Sequence, residues 1–453
     1  MTCQLPVTQL VEILAATPIN LSDEAASTLF TGITTDTRSL KPGNVFLALR
    51  GEKFDGHDFA GVAVERGALA VITDRRAPTQ LNGIPQLQVE DTLLAYQQIA
   101  RWWRDQFDIP VIAVTGSVGK TTTKELIAAV LSTKGNVLKT QANYNNEIGV
   151  PKTLLELGSE HDYAVIEMAM RGSGQIALLA QIARPTVSVI TNVGTAHIGL
   201  LGSEQAIANA KCELLAEMPA TGVAVLNHDN QRLIETAATV WQGQTLTYGL
   251  EGGSFQGQLL DPETLEVERM QLPLPLAGRH NALNYLAALG VAKLLQVDWA
   301  PLAKGLAVDL PSGRSQRYEL PNDVVILDET YNAGLESMIA ALQLLAQTPG
   351  KRHIAVLGAM KELGERSPEF HRQVGNTAQQ LNLDALLILV SDPEAEAIAH
   401  GAASLPTECF SNPDTLVRHL QELVQPGDRL LFKASRSVGL DRVVNQLRAA
   451  ISG

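Results

Sequence analysis

Apolar residues in this chain fall into short continuous runs, and longer stretches with helical spacing lie between the runs. Residues 111–114 form one such run, and the stretch "TKELIAAVLST" that follows a glycine-rich turn has helical periodicity. The stretches "YAVIEMA" and "TVSVITNVG" repeat the pattern of a buried strand that ends in polar residues. This alternation predicts a mostly parallel sheet with helices on both faces. In such sheets ligands bind beyond the carboxyl ends of the strands.

Two further regions flank this central one. Residues 1–105 mix strand-like runs at 45–49 and 69–73 with turns marked by glycine and proline. The stretch "AVDLPSGRSQRYELPND" is predicted to be a linker, and four more apolar runs follow it, at residues 324–327, 353–357, 385–390 and 429–433. We therefore predict an α/β protein with three domains: a small N-terminal α/β domain (1–105), a central domain of the P-loop type with helices on both faces of a mostly parallel sheet (106–310) and a smaller, Rossmann-like C-terminal α/β domain (311–453).

The composition narrows the class of protein. Of the 453 residues, 45% are hydrophobic and 18% are charged, which is typical of a globular protein and not of a disordered chain. The net charge of −13 disfavours nucleic acid as a partner, because duplex binding depends on a cationic face. The first basic residue is Arg38, no apolar run approaches a membrane span, and Cys3, Cys212 and Cys409 match no metal or disulfide framework. We expect a cytoplasmic protein without membrane insertion.

The stretch "TGSVGKTTTK" (115–124) is the clearest candidate for chemistry. The common phosphate-binding pattern has four residues between its first glycine and Gly-Lys-Ser/Thr, whereas only Ser117 and Val118 follow Gly116 here. The loop nevertheless lies between a strand and a helix, where backbone N–H groups and the helix dipole hold phosphate. Lys120 would contact the terminal phosphates and the Thr121 hydroxyl would bind Mg²⁺. The alternative is a glycine-rich turn that only starts a helix.

Carboxylates and a histidine follow other predicted strands. Glu167 ends the run before it, and a carboxylate next to a phosphate loop is well placed to hold Mg²⁺. His197 follows the next run, and Asp328 ends a run in the C-terminal region, where it could accept a hydrogen bond from a ribose. Taken singly, Glu167 could be an ordinary solvated strand end, and a lone histidine is more often structural.

Helical stretches supply further candidates. Asn281 in "GRHNALNYLAALG" is a candidate helix N-cap, and Asn284 lies on the same helix face three residues later. Capping explains Asn281 alone but not the pair. Lys211 in "NAKCELLAEM" by itself reads as a solvated lysine on a helix.

Taken together, these stretches resemble one family, the Mur ligases, which use ATP to form amide bonds in peptidoglycan synthesis. The family's order of motifs is matched by "VTGSVGKTTTKE", "NYNNEIGVPKTLL", "TNVGTAH", "AKCELL", "GRHNALNYLAA", "LDETYNAG", "VLGAMKELGE" and "FKASRSVGLDRVV". Each motif is moderately specific and the ordered set, which spans most of the chain, is very specific. The family's short phosphate loop has two residues before Gly-Lys-Thr, as here.

Within the family, the chain resembles the members that add D-alanyl-D-alanine. The stretch "ITTDTRSLKPGNVFLALRGEKFDGHDF" is similar to a uridine-nucleotide-binding domain shared with the diaminoacid-adding members. "YNAG" followed by Ser337 and Met338 is typical of the dipeptide-adding type, and the Asp-Asn-Pro-Arg motif of the diaminoacid-adding type is missing at "SNPD". The diaminoacid-adding enzyme, a folylpolyglutamate-synthetase-like ligase and a non-catalytic nucleotide switch are the alternatives.

The resemblance implies a role for each matching residue on the ATP side. The phosphates would be bound by Gly116, Ser117, Val118, Gly119, Lys120, Thr121 and Thr122. Two magnesium ions would be held by Thr121, Glu167, His197 and a carbamylated, CO₂-derived Lys211. Asn281 and Asn284 would lie on the adenine side, Arg314 would reach the γ-phosphate, and Asp328 would accept from the ribose. The resemblance makes Lys120, His197, Lys211 and Arg314 the expected catalytic set.

The resemblance also implies the other substrates, UDP-N-acetylmuramoyl-tripeptide and D-alanyl-D-alanine, which would be joined through an acyl phosphate by a monomeric enzyme. The uridine-diphosphate part would contact Asp36, Arg38, Lys53, Phe54, Asp55, Gly56 and His57. The muramoyl-peptide side would face Asn143, Asn145 and Asn146, and the closing domain would contribute Tyr331, Asn332, Lys433, Ser435 and Arg436. The chain departs from the family at Gly199, Cys212 and Gly334, among others, so the resemblance does not define the residues or the side-chain selectivity of the dipeptide pocket.

Overall fold

Three sheets make up the core of the structure, which is a computed structural model that describes residues 3–51, 53–74, 85–390 and 392–452. Each sheet is flanked by helices, so the described part of the chain is a three-sheet α/β protein, as the sequence predicts. The boundaries of 105 and 310 between the domains stay a prediction. Among the described residues, no helix combines the length and apolar character needed to cross a bilayer.

The N-terminal sheet has the strand order β1-β5-β4-β3-β2 in the described residues, with only β1 antiparallel to its neighbour. Its elements are α1 (Val7–Leu14), β1 (Thr17–Ile19), α2 (Asp23–Ser27), β2 (Ile33–Thr34), β3 (Val45–Leu47), a 3₁₀ turn (Gly56–Phe59), α3 (Ala60–Glu65), β4 (Ala70–Asp74), β5 (Gln86–Val89) and α4 (Thr92–Arg104). The runs predicted at 45–49 and 69–73 appear as β3 and β4, within two residues of the expected bounds.

The central sheet has the order β14-β13-β12-β11-β10-β9-β6-β8-β7, and it is parallel from β7 to β12. Its elements are β6 (Val111–Thr115), α5 (Lys120–Leu131), β7 (Val137–Lys139), α6 (Gly149–Leu154), β8 (Tyr163–Glu167), α7 (Gln175–Ala183), β9 (Val187–Ile190), α8 (Ile198–Leu201), α9 (Glu204–Ala216), β10 (Val223–Asn227), α10 (Gln231–Val240), β11 (Gln244–Gly249), β12 (Phe255–Asp261), β13 (Thr264–Val267), β14 (Met270–Pro273) and α11 (Arg279–Leu294). The antiparallel β12–β14 meander was not predicted.

Strand β6 shows why the central apolar runs are continuous. Ile112 and Val114 belong to the apolar cluster formed with α5 and α11, whereas Val111 and Ala113 belong to the cluster that includes α7 and α9. Because successive side chains of a strand point to opposite faces, a strand covered by helices on both sides must be apolar at every position. The polar residues that follow each strand therefore mark the carboxyl edge of the sheet.

The C-terminal sheet has the order β15-β16-β20-β17-β18-β19, with β15 antiparallel and the other pairs parallel. A 3₁₀ turn (Ala300–Lys304) precedes β15 (Gln316–Leu320), β16 (Val324–Asp328), α12 (Leu335–Gln347), β17 (Arg352–Gly358), α13 (Ser367–Gln380), β18 (Ala385–Leu389), α14 (Glu396–Gly401), β19 (Thr407–Phe410), α15 (Pro413–Leu423), β20 (Asp428–Lys433) and α16 (Leu440–Ser452). Shorter 3₁₀ turns cover Pro321–Asp323, Gly364–Arg366, Pro393–Ala395 and Arg436–Val438.

Part of the predicted linker is a strand. The second half of "AVDLPSGRSQRYELPND" forms β15, which pairs along its whole length with β16 at one edge of the sheet. None of its residues is fully buried, so the stretch lacks the continuous apolar run by which the other strands were predicted. The same reason explains why β19, with no fully buried residue, was not predicted.

The central and C-terminal sheets face each other through their carboxyl edges. Strands β6 and β9 of the one, and β16, β17 and β20 of the other, end in loops that line a shared cavity of about 720 Å³. Parallel sheets bind ligands at this edge, so the two sheets together define the candidate site.

Candidate functional site

Most of the predicted nucleotide and closing-domain residues line the cavity between the two sheets. The predicted residues found there are Ser117, Val118, Gly119, Lys120, Thr121, Thr122, Asn143, His197, Asn281, Asn284, Arg314, Tyr331, Asn332, Lys433, Ser435 and Arg436. Gly116, Asn145, Asn146, Glu167, Lys211 and Asp328 are not among its lining residues, nor is any predicted residue of the N-terminal sheet. The structure therefore brings many, but not all, of the predicted ATP-side residues to one cavity, and the predicted uridine-side residues lie outside it.

The two glycines of the phosphate loop are required by close packing. A Cβ atom at Gly116 would lie 1.8 Å from Oγ1 of Thr191, and one at Gly119 would lie 2.6 Å from Oδ1 of Asn284. Gly119 also has a φ of +83°, a left-handed conformation that favours glycine. It is the N-cap of α5, which begins at Lys120, three residues earlier than the sequence suggested. The loop thus opens directly into the N-terminus of α5, where phosphate binds well.

Lys120 is hydrogen-bonded within the phosphate loop. Its ammonium donates to the carbonyl oxygens of Gly116 (2.9 Å) and Ser117 (3.4 Å). Burial lowers the pKa of Lys120, an effect that the carboxylate of Glu167 opposes and the positive charge of Arg314 reinforces. A phosphate would offer this ammonium stronger, charged acceptors than the two carbonyls.

Glu167 has the character of a cation ligand. Its side chain is 2% exposed, and Oε1 accepts a hydrogen bond from Nδ2 of Asn145 at 2.8 Å. The second oxygen, Oε2, is buried and has no hydrogen-bond partner among the residues that the structure describes. A buried carboxylate oxygen is costly unless it is paired with a cation or a donor, so Glu167 fits a magnesium ion. Among the described residues, no cluster of three or more His, Cys, Asp and Glu side chains forms a metal site, so nearby hydroxyl, lysine or phosphate groups would have to complete the shell.

His197 makes a contact across the two sheets. It starts α8 with a left-handed φ of +66°, and its Nδ1 pairs with the carboxylate of Glu362 from the loop after β17. The backbone N–H of Gly199 also donates to the Glu362 carbonyl at 3.1 Å. Burial lowers the pKa of His197, although Glu362 counteracts this. The C-terminal region therefore closes over the loop in which His197 lies.

Lys211 is not the solvated lysine that its helix suggested. It lies in α9 with only 2% of its surface exposed. Burial, with the nearby positive charge of Lys120, lowers the pKa of Lys211 well below its usual value. A buried lysine of lowered pKa is enriched in the neutral amine, which is the form that reacts with electrophiles.

Arginines stack on a tyrosine in the C-terminal wall of the cavity. The Arg314 guanidinium lies 3.9 Å from the centre of the Tyr331 ring, and that of Arg436 lies 5.9 Å from it. Within the described part of the chain, the buried Nε of Arg314 has no hydrogen-bond partner. Lys433 donates to the Asn332 carbonyl at 2.9 Å, and burial lowers the pKa of Lys433. This wall is positively charged and faces the phosphate loop, so it suits an anionic ligand.

The structure bears on two predicted residues, Asp328 at this wall and Asn281 on α11. Asp328 stays the predicted ribose acceptor, and one oxygen of its carboxylate, Oδ1, accepts from the Thr330 hydroxyl (2.6 Å) and N–H (3.0 Å). The neighbouring Glu329 lines the cavity. Asn281 is not the N-cap of α11, because Gly278 takes that position and the Asn281 amide donates to the Ala277 carbonyl at 2.8 Å.

The asparagines after β7 serve different purposes. Asn143 lines the cavity, Asn145 donates to Glu167 as described above, and the Asn146 side-chain oxygen accepts from the N–H of Gly149 (2.9 Å) at the start of α6. Asn143 thus lies at the cavity, and the roles of all three on the muramoyl-peptide side stay a prediction.

Some predicted residues of the N-terminal sheet are exposed. The Asp36 carboxylate receives a 2.7 Å ion pair from Arg38, whose side chain is 87% exposed. This pairing lowers the pKa of Asp36. Lys53 is exposed as well, and Phe54 is 61% exposed. These side chains are accessible to a ligand.

Other predicted residues of the same loop are bonded internally. His57 is 4% exposed, and its Nδ1 lies 2.6 Å from the Asp55 carboxylate while its Nε2 accepts from the backbone N–H of Asp74 at 3.0 Å. Arg50 bridges Asp55 and Asp74. A Cβ atom at Gly56 would lie 2.6 Å from the carbonyl oxygen of Leu49. The His57 imidazole therefore fixes the shape of this loop.

Functional positions that the sequence did not single out lie at the junction of the two sheets. Asn192 accepts from the N–H groups of Ser117 and Val118, and Glu336 of α12 accepts from the Thr195 N–H at 2.7 Å. Glu362 and Glu329 are described above. Each lies inside or next to a stretch that was quoted as a motif, so its position after a strand was the available signal.

The arrangement defines a class of enzyme: a phosphate-binding loop and helix terminus of one parallel sheet, closed by the basic edge of a second. Family models match three parts of the chain: residues 29–104 ("Mur ligase family, catalytic domain"), 114–292 ("Mur ligase middle domain") and 313–436 ("Mur ligase, glutamate ligase domain"). The chain belongs to the Mur ligase family.

Particular relatives narrow the comparison. The UDP-N-acetylmuramoyl-tripeptide--D-alanyl-D-alanine ligase of Synechocystis sp. is 61% identical over 430 residues, covering 95% of this chain and 94% of the relative. A crystal structure of MurF from Acinetobacter baumannii is similar with a TM-score of 0.89 and 32% identity, covering 99% of both chains. The MurF ligase of Thermotoga maritima in complex with ADP has a TM-score of 0.84 and 32% identity, covering 95% of this chain and 99% of that one.

Proposed function

We propose that this protein joins D-alanyl-D-alanine to UDP-N-acetylmuramoyl-tripeptide at the expense of ATP, and releases ADP and phosphate. The observation that carries the proposal is the cavity in which the loop at Lys120 faces Arg314 and Lys433 across two sheet edges. The family is ATP-dependent, and the 61% identity to a relative named for this reaction favours it over the diaminoacid-adding alternative.

The chemistry requires an activated carboxylate, because a carboxylate at neutral pH is a poor electrophile. The terminal carboxylate of the tripeptide attacks the γ-phosphorus of ATP, and ADP leaves, so that an acyl phosphate forms. The amine of the dipeptide then attacks the carbonyl carbon, and the tetrahedral intermediate expels phosphate. Two anionic reactants must meet in the first step, and Lys120 and Arg314 lower the repulsion between them.

The residues beside the phosphate loop fit magnesium. Glu167, with its unpartnered oxygen, together with the Thr121 hydroxyl and His197, would hold it. Bound Mg²⁺ would neutralise charge on the phosphates and on the leaving oxygen. The remaining work belongs to the protein: Lys120 and the N–H groups of α5 orient the phosphates, and the contact of Glu362 with the His197 loop helps to exclude water from the acyl phosphate.

Lys211 is proposed to carry a carbamate. An ammonium in this place would repel Mg²⁺, whereas CO₂ captured by the neutral amine gives an anionic oxygen ligand. Its burial and lowered pKa support this proposal, since only the neutral amine adds CO₂. The new oxygen would join Glu167 and His197 at the carboxyl edge of the central sheet.

Further parts of the substrates follow the same geometry. We propose that the carboxylate of Asp328 accepts a hydrogen bond from the ribose, with the adjacent Glu329, which lines the cavity, as the second candidate. Asn281 and Asn284 of α11 remain the adenine-side candidates. The exposed Arg38 and Lys53 are proposed to contact the uridine diphosphate. We also propose that the chain has three domains, with boundaries near residues 105 and 310. We propose a monomer that acts in the cytoplasm, where ATP is available.

One assay tests the proposed function. The protein is incubated with ATP, Mg²⁺, the UDP-muramoyl-tripeptide and D-alanyl-D-alanine, and both phosphate release and product mass are followed. We expect the pentapeptide product and phosphate release that depends on the dipeptide. The matched control supplies the UDP-muramoyl-dipeptide with a free diaminoacid instead. Product in the control and none in the main reaction would show the diaminoacid-adding alternative to be correct.

A further inference from the structure

The phosphate loop has an internal acceptor for two of its own donors. The side-chain oxygen of Asn192, just after β9, lies 3.1 Å from the backbone nitrogen of Ser117 and 3.0 Å from that of Val118. The Ser117 N–H is shared, because the backbone carbonyl oxygen of Asn192 also accepts from it at 3.1 Å. Both partners are donors, so the amide must present its oxygen and not its nitrogen to them. Asn192 therefore occupies the two N–H groups that directly follow the first glycine of the loop.

Other groups of the same segment hold the loop in this position. The Thr191 hydroxyl donates to the Val118 carbonyl at 2.6 Å, and the N–H of Gly194 donates to the Ser117 hydroxyl at 2.9 Å. The Thr191 Oγ1 would also lie only 1.8 Å from a Cβ atom placed at Gly116. The segment after β9 thus contacts the backbone, the side chain and the glycine of the loop together, and Asn192 is its central member.

This arrangement determines which donors remain for phosphate. In the longer pattern with four intervening residues, the loop's own N–H groups surround the phosphates. Here the first two are committed to Asn192, while the N–H groups of Lys120, Thr121 and Thr122 have no acceptor within α5 because they belong to its first turn. The short loop would therefore bind phosphate mainly through the helix terminus.

We propose that Asn192 is a positioning residue that fixes the shape of the short phosphate loop, by accepting from Ser117 and Val118, so that the first turn of α5 is presented to the nucleotide. The inference rests on the proposed function in one respect, namely that ATP is the ligand of this loop. It adds a residue that acts through the loop backbone and does not itself bind phosphate.

Two substitutions separate the shape of the loop from its charge. Asn192→Ala removes the side-chain acceptor: the Val118 N–H loses its hydrogen bond, whereas the Ser117 N–H keeps the one to the backbone carbonyl of residue 192. We expect the KM for ATP and the Kd for ADP to rise about tenfold, as the loss of about one hydrogen bond implies. The KM values for the UDP-muramoyl-tripeptide and the dipeptide should stay within about twofold. Asn192→Asp keeps both hydrogen bonds and hence the melting temperature without nucleotide, but its negative charge should raise the KM for ATP at least as much.

The control is Asn412→Ala, which removes a similar bond from a side-chain amide oxygen to a backbone N–H (Asp414, 2.7 Å) at the start of α15, away from the cavity. It should leave all three KM values unchanged. An unchanged or lower Kd for ADP in Asn192→Ala overturns the inference, as does an equal rise in the three KM values. If the unmodified protein binds no ADP at all, the proposed function fails; if it binds ADP and the variants bind equally well, only the inference fails.

Discussion

The cavity between the two sheets and the N-terminal loop that contains Arg50, Asp55 and His57 both hold polar side chains, but they differ in how these are bonded. In the cavity region, buried polar atoms without a hydrogen-bond partner include Oε2 of Glu167, Nε of Arg314 and Oγ of Ser435. In the N-terminal loop, both ring nitrogens of His57 are bonded and the guanidinium of Arg50 is paired with two carboxylates.

The difference distinguishes side chains with an atom available to bind a ligand from side chains whose hydrogen bonds stabilise the fold. A buried polar atom without a partner costs free energy, and where such atoms lie at a cavity a ligand or ion can satisfy them. A fully bonded imidazole such as that of His57 stabilises the loop and has no free atom to offer. Substitutions in the two regions should therefore affect different quantities: the rate in the cavity and the free energy of unfolding in the loop.

The largest expected effect belongs to Lys211→Ala. Loss of the proposed carbamate should lower kcat at least about 10³-fold, because the magnesium site would lose one of its oxygen ligands. Short carboxylic acids such as acetate should restore part of the rate by filling the vacated space with a carboxylate. The measurement is steady-state phosphate release with and without acetate, and Lys293→Ala, on the exposed face of α11, serves as the control with an unchanged rate.

A variant Lys211→Ala that keeps a near-normal rate without added acid would contradict the carbamate. Unaltered rates after removal of CO₂ and bicarbonate from the wild-type assay would count against it too.

The next effect in size concerns the arginines on Tyr331. Arg314→Lys removes the planar group that stacks at 3.9 Å, and we expect kcat to fall about 10²-fold, as for other donors that stabilise transition-state charge. Arg436→Lys should lower kcat much less, since its guanidinium lies 5.9 Å from the ring and is exposed. Equal effects of the two substitutions would remove the distinction between these arginines.

In the N-terminal region, the comparison predicts different effects for two candidate residues, His57 and Arg38. His57→Gln should lower the free energy of unfolding by about 1–3 kcal/mol, since buried partners lose their hydrogen bonds. Arg38→Ala, at an exposed side chain, should leave the unfolding transition in place and raise the KM for the uridine substrate several-fold. Urea unfolding and substrate titration of both variants test this, and the reverse assignment of the two effects would refute it.

The smallest effect is a pH dependence of stability at His371. This histidine of α13 is fully buried, its Nε2 accepts from the Met360 N–H at 2.9 Å, and burial lowers the pKa of His371 below its usual value of 6.5. The unfolded chain takes up the proton near pH 6.5, so the stability due to the neutral imidazole is complete above that pH and is lost as the pH falls below it. The melting temperature of His371→Gln should therefore fall less than that of the wild type between pH 7 and pH 5, and identical slopes would disprove the assignment.

Much of the fold follows from the sequence because the buried strands are apolar at every position. The runs at 111–114 and 429–433 predicted β6 and β20, and the polar residues after such runs predicted the edge where the cavity lies. Strands β15 and β19 were not predicted, because each is at an edge and has no fully buried residue. An edge strand of this kind is defined by its backbone pairing and not by the burial of its side chains, so the local sequence predicts it poorly.

The candidate site was predictable as a set of positions and less so as a set of contacts. The burial of Lys211 depends on packing across the domain and could not be read from a helix of mixed polarity. The choice between Asp328 and Glu329 depends on which side of the end of β16 faces the cavity, which two adjacent carboxylates do not reveal. Asn192 became visible only when the loop and the next strand were brought together.

The central claim is that the cavity brings the tripeptide carboxylate to the γ-phosphate of ATP. The most direct measurement uses a UDP-muramoyl-tripeptide whose terminal carboxylate carries ¹⁸O in both oxygens, and analyses the released phosphate by mass spectrometry. The account predicts one ¹⁸O atom in each phosphate and one in the new amide, because an acyl phosphate passes through the cavity. Phosphate without label, or label in pyrophosphate or AMP, would contradict it.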